Sequence, residues 1–223
     1  MLQVMPPGHP PGAQAKPTRP ELSREFIAVH KRRRIMDAIA ELTAEQGYEA
    51  TKIADIVRRA GVARKTLYDN FDGKEELFLA TFDAAVAELT ARVEASCASA
   101  EGGWSERVDA GLTAFLDYLA EQPALAKMCM IEALSATPAA TRHYEDAVQR
   151  FVTLVRDATP HDGDLPETIE ETLVGGVSWI VYQQIRRGET ERSLDLLPAL
   201  SEFVSRPYRG GGVNAGTRTG RRK

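Results

Sequence analysis

Apolar residues recur along this chain at intervals of three and four, the spacing of one buried helix face. Ile35, Ile39 and Leu42 predict a first helix that starts between Ser23 and His30 and stops at Gly47. A second follows from Ile53, Ile56, Val57 and Ala60, ended by Gly61. A third, short one spans about Ala63 to Phe71; Leu67 and Phe71 point inward, and Arg64, Lys65, Thr66 and Tyr68 point outward. Asp72-Gly73 is a turn, and Lys74 opens a long helix on Phe78, Phe82, Val86, Leu89 and Val93 that Gly102-Gly103 breaks. Val108, Leu112, Phe115 and Leu119 give the next helix. Pro123, Pro138 and Pro166 each open another, proline being favoured in a first turn. Leu194, Leu197, Leu200 and Phe203 give the last one. No segment alternates as a strand would, so the expected fold is all-α.

Two short helices joined by a tight, glycine-containing turn form a helix-turn-helix, whose second helix can lie in a DNA major groove. That directs attention to charge. The chain is acidic overall, at −4, yet from His30 to Lys74 it holds 10 Lys and Arg against 7 Asp and Glu, leaving 18 against 25 elsewhere. A locally basic unit on an acidic body suits a small nucleic-acid-reading head. Lys31, Arg32, Arg33 and Arg34 sit at the expected start of the first helix, where the backbone dipole disfavours positive charge. They are either a solvated basic turn or a phosphate contact. Thr51 is placed to cap the second helix, and the same hydroxyl could meet a phosphate.

At 223 residues, 43% of them hydrophobic, the chain can bury a core without disulfides. Cys97 and Cys129 have no CxxC spacing and read as small apolar residues, a disulfide between them staying open. Residues 1–22 and 209–223, rich in Pro and Gly or in Gly and Arg, read as disordered tails. The first residues lack the pattern of a secretory signal, and no run is apolar enough for a membrane span, so the expected location is cytoplasmic. His9, His30, His143 and His161 have no ligand spacing, and no phosphate loop or nucleophile motif stands out. Neither metal, cofactor nor enzymatic activity is therefore expected.

From Arg32 to Leu79 the sequence resembles the TetR family of bacterial transcriptional repressors. The matching residues are Ile35, Ala38 and Ile39; Gly47-Tyr48-Glu49-Ala50-Thr51; Asp55-Ile56; Ala60-Gly61-Val62; Thr66-Leu67-Tyr68 with Phe71; and Gly73-Lys74-Glu75-Glu76-Leu77. Val57 and Ala63 depart from it: the family usually has a small Ala at the first position and a capping Ser or Thr at the second. The resemblance implies a three-helix DNA-binding head over 23–76 and a larger helical domain for ligand binding and dimerisation over 77–208. It implies an operator-bound homodimer released by a small molecule. The DNA-contacting set is then Arg32, Arg33, Thr51, Lys52, Arg64, Lys65, Thr66, Tyr68, Asn70 and Lys74, with Tyr68 and Lys74 mainly on phosphates. Asp69 either turns away from DNA or accepts from a cytosine amino group.

For the body, Phe115, Tyr118, Met128, Phe151, Trp179, Tyr182 and Gln183 are candidate ligand contacts, with Met130 and Tyr144 beside them and His143 and Glu132 as polar anchors. Any of these could instead be plain core. The resemblance pairs the last two helices with their twofold mates as a four-helix bundle. Leu173, Gly176, Val177, Ile180, Leu197, Leu200 and Phe203 are the candidate interface, each equally readable as intramolecular packing. Two other functions compete: a sequence-tolerant architectural DNA binder, to which the basic C-terminal tail would point, and an enzyme using the helical cavity.

Overall fold

The structure is a computed structural model that describes residues 19–159 and 165–208. The two expected tails and the loop over 160–164 lie outside those residues, apart from the helical stretch from Arg19 onward. Every regular element described is helical. Helix α1 runs Arg19–Gln46, α2 Ile53–Ala60, α3 Arg64–Tyr68 and α4 Lys74–Ser99. Then come α5 (Trp104–Glu121), α6 (Pro123–Lys127), a π-helical turn (Met128–Glu132), α7 (Ala133–Ala136) and α8 (Pro138–Ala158). The described chain ends with α9 (Ile169–Arg186), a 3-10 turn (Thr190–Leu196), α10 (Leu197–Ser205) and a last 3-10 turn. Among the described residues no helix is long and apolar enough to cross a membrane.

The head is built on the stripes that periodicity predicts. Ile35, Ile39, Ile56 and Leu67 are wholly buried, joined by Phe71 and by Leu77 and Phe78 of α4. Because α4 gives its first turns to this cluster and its later residues Leu89 and Val93 to the body, one continuous rod serves both. The turn between α2 and α3 depends on Gly61 at φ +61, a left-handed conformation that costs other residues more than glycine. Its N–H donates to Arg58 O, and the Val62 N–H donates to Val57 O, so the carbonyls that end α2 are satisfied. Arg59 pins α2 to α1 by ion pairs with Glu41 and Glu45 at 2.9 and 2.8 Å.

In the body, α5 lies along α4 with Gly111 at the close approach: a Cβ there would come within 2.7 Å of Cys97 Sγ. Helix α8 covers the other side of α4, and α9 with α10 close the far face. Leu116, Val181 and Leu200 form the core there.

Two sequence expectations change here. Helix α1 begins at Arg19, not between Ser23 and His30, so Lys31–Arg34 lie more than two turns inside it. The dipole argument for those four charges fails, because the end effect is confined to the first turn. Thr51 does not cap α2: Lys52 takes the N-cap position with no side-chain cap. The Thr51 hydroxyl donates instead to Gly47 O at 2.8 Å and the residue is 1% exposed, so it locks the α1–α2 turn.

Candidate nucleic-acid interface and ligand cavity

Helix α3 is short, and its burial is one-sided. Leu67 faces inward while Arg64, Lys65 and Tyr68 are exposed. The Arg64 guanidinium lies 5.6 Å from the Tyr68 ring centre, and its Nη2 donates to the Tyr68 hydroxyl at 3.4 Å. Arg33 and Lys52 are exposed on the flanking elements. Other residues of the expected set are held by the head itself. Arg32 stacks over the Phe71 ring at 4.2 Å and donates to Asn70 O at 3.2 Å. Asn70 Nδ2 donates back to Thr66 O at 2.7 Å, closing the end of α3, and Thr66 is half-buried. Lys74 Nζ donates to Tyr48 O at 2.9 Å and sits 3.9 Å from that ring centre. With Thr51 buried, Arg33, Lys52, Arg64, Lys65 and Tyr68 are the exposed members of the expected set that the head does not hold by bonds to its backbone, Arg64 and Tyr68 meeting each other.

The body contains a cavity among α4, α5, α8 and α9, floored by α6 and the π turn. Its volume open to the centres of water-sized molecules is about 200 Å³, and its atom-free space, counting the mouth, is about 1370 Å³. Of the candidate ligand contacts, Phe115, Tyr118 and Phe151 line it, with Met130 and Tyr144. Phe115 and Phe151 meet edge to face at 6.2 Å across its middle. Four candidates do not line it. Met128 is fully buried against the head's core. Trp179 is 59% exposed and stacks on Tyr182, and Gln183 lies beyond them and accepts from Arg186. A 3.6-residue period turns these away once Val177 and Val181 face inward. The expected anchors are also engaged elsewhere: His143 pairs with Asp83 at 2.7 Å, and Glu132 accepts from the Tyr48 N–H at 3.1 Å.

Leu89 and Val93, which read as ordinary core in sequence, also line the cavity, as does Leu154. Trp104 and Arg107 at the start of α5 escaped notice because no periodic signal marks a cavity mouth. Both cysteines are free and both line the cavity. Burial pushes the Cys129 thiol up to about 12, and burial likewise raises the Tyr118 phenol.

The expected dimer set divides. Leu173 and Leu200 are 2% and 3% exposed and belong to this chain's own core. Val177 lines the cavity, Leu197 packs on the α9–α10 core, and Gly176 accommodates the Phe203 ring within the chain. Ile180 and Phe203 remain outside, 43% and 42% exposed, beside Trp179.

A compact helix-turn-helix head is thus joined by a long helix to a hollow helical body. Residues 35–81 match the family model described as bacterial regulatory proteins, tetR family. It is 30% identical over 89 residues to the HTH-type transcriptional activator FasR of Mycolicibacterium smegmatis, covering 40% of each chain. It is 35% identical over 60 residues to the fatty acid metabolism regulator protein of Bacillus subtilis, covering 27% of this chain and 31% of that one. The chain thus aligns with well under half the length of these relatives. In fold it resembles the transcriptional regulator FadR of Bacillus subtilis in complex with stearoyl-CoA, with a TM-score of 0.68 at 18% identity, over 77% of this chain and 96% of the other.

Proposed function

We propose that this protein is a cytoplasmic, homodimeric transcription regulator whose two heads read a twofold-symmetric operator and whose body cavity takes an apolar ligand that releases it from DNA. Residues 23–76 form the reading head and 77–208 the sensing and pairing body. The observation that carries this reading is a single helix, α4, whose first turns build the head's core and whose later turns wall an almost wholly apolar cavity. Occupancy of that cavity bears directly on the rod that holds the heads. A ligand that fits only one spacing of the heads shifts the population by its differential affinity.

In this reading Arg64 and Lys65 face base edges, where bidentate Arg–guanine contacts discriminate best. Arg33, Lys52 and Tyr68 meet phosphates, which position without specifying. Arg32, Thr51, Thr66, Asn70 and Lys74 shape the head that presents them. The pairing surface is the exposed apolar patch of Trp179, Ile180 and Phe203 on α9 and α10. The apolar lining, together with the relative named as a fatty acid metabolism regulator, favours a lipid-like ligand. Since another relative is named as an activator, binding to an operator is the common element and the sign of regulation is set by its position.

The test is selection of bound duplexes from a random DNA pool, followed by titration of the selected site with long-chain lipids. A twofold motif and release by a chain-bearing lipid are expected. Equal affinity for every duplex would favour a sequence-tolerant architectural binder and sink the proposal.

A further inference from the structure

The shape of the cavity and the asymmetry of its two ends say more about the ligand, given the ligand-responsive reading above. Three helices wall it over nearly equal lengths: α4 from Phe82 to Cys97, α5 from Trp104 to Leu119 and α8 from Tyr144 to Ala158. Fourteen or fifteen residue-to-residue steps at a helical rise of about 1.5 Å make each wall about 21–23 Å long. Of all the lining residues only Arg107 and Ala158 are exposed, and both lie at the end remote from the head. At the other end Phe82, Ala126 and their neighbours are buried or half-buried. The cavity is a blind tube, open beside the start of α5 and closed above the head.

Two polar groups at the open end lack a side-chain partner among the described residues. The Arg107 guanidinium has no carboxylate within ion-pair distance among the described residues. The Trp104 indole Nε1 is buried without an acceptor among them. Glu106, the carboxylate next in sequence to Arg107, is turned to the Gly103 N–H, from which it accepts at 2.9 Å. Along the tube the walls are aliphatic and aromatic apart from Ser178, the two thiols and the Tyr118 hydroxyl, a neutral group that is also buried without a partner among the described residues. A buried donor without an acceptor costs about 1–3 kcal/mol, so a ligand that supplies one gains over a ligand that does not.

We propose that the tube binds a single-chain carboxylic acid of roughly 16–18 carbons lying lengthwise, its carboxylate held at the mouth by Arg107 and the Trp104 indole N–H and its tail ending against Phe82 and Ala126. The length follows from the walls: carbon–carbon bonds of about 1.5 Å at tetrahedral angles advance an extended chain by about 1.25 Å per carbon. The orientation follows from solvation. A carboxylate at the blind end would be stripped of water with no cation among the described lining residues there, whereas at the mouth it keeps solvent and gains a charge-assisted hydrogen bond.

Calorimetric titration of the full chain with hexadecanoic acid, hexadecan-1-ol and hexadecanoyl-CoA tests this. Arg107→Gln should weaken the acid roughly ten- to hundredfold, the range of a hydrogen bond to a charged group, and the alcohol by less than about threefold. Trp104→Phe keeps the ring packed on Tyr208 and deletes the donor, and it should show the same selectivity at smaller size. Equal loss for acid and alcohol, or no loss in either variant, would overturn the assignment of the mouth. Tight binding of the thioester with none of the acid would overturn the free carboxylate. If none of the three chains binds a wild-type protein that still binds DNA, the lipid reading itself fails, a result distinct from loss of selectivity at Arg107.

Discussion

Arg64 is the side chain on which sequence reading of DNA should turn. It is exposed on α3, and among the described residues its guanidinium meets only Tyr68, through a ring contact at 5.6 Å and a long hydrogen bond at 3.4 Å. Breaking so weak a contact to reach a base costs little. Arg64→Ala should weaken operator binding by about 1–3 kcal/mol while changing random-duplex binding far less, as read by paired fluorescence-anisotropy titrations. Equal loss on both would move Arg64 to the backbone. Thr51 behaves oppositely. Its buried hydroxyl donates to Gly47 O, so Thr51→Val should lower stability by about 1 kcal/mol in chemical denaturation and reduce DNA affinity only through the head's population. The Cys129 thiol gives a pH signature. Its folded pKa is raised to about 12 by burial, so the folded state holds its proton longer than the unfolded state. Its contribution is complete below the unfolded value near 8.5 and is lost as pH climbs from there to about 12. Cys129→Ala should make denaturation midpoints fall less steeply over that alkaline range.

The element that connects chamber and head is the five-residue π turn, Met128–Glu132. Cys129 and Met130 line the cavity while Met128 is buried in the head's core. Glu132 accepts from the Tyr48 N–H, and just before the turn Lys127 Nζ donates to Ala44 O at 2.6 Å, so both side chains grip the end of α1. A ligand that displaces this turn moves groups bonded to the head. Glu132→Ala should leave ligand affinity within about threefold and shrink the ligand-induced loss of operator affinity. Measuring each affinity with and without the other partner checks this, since the coupling is reciprocal. Undiminished coupling would assign transmission to α4 alone.

At the scale of the molecule the exposed apolar surface bears on assembly. The exposed patch of Trp179, Ile180 and Phe203 lies on the two helices expected to pair, and Trp179 stacks on Tyr182 with rings 15° from parallel. Apolar surface concentrated in this way marks an interface more often than scattered residues do. Phe203→Glu combined with Ile180→Glu should leave the helical circular dichroism intact and shift sedimentation velocity from dimer to monomer. Operator affinity should fall with it, because one head reads only a half-site. A pair variant that still sediments as a dimer would place the interface elsewhere.

Periodicity, glycine and proline by themselves determined the helical class, the order of the helices and the helix-turn-helix, because a buried helix face leaves a local imprint of period 3.6. They also determined that Leu67 and Phe71 face inward while Arg64 and Lys65 face out. Tertiary structure alone decided everything that depends on which partner meets a given face. The same apolar spacing describes Val93, which lines a cavity, and Leu116, which fills a core, and no local signal separates a wall from a filling. Trp179 and Tyr182 look like cavity aromatics in sequence and lie outside, because Val177 and Val181 claim the inner face. Thr51 satisfies the local rule for a helix cap, yet a carbonyl of the preceding turn takes its hydroxyl. The charges of Lys31–Arg34 lie mid-helix because α1 reaches back to Arg19, where the sequence shows no apolar stripe to announce it. Chain-local chemistry sets the elements. Which of their surfaces are empty, shared or exposed is set by long-range packing, which sequence spacing does not encode.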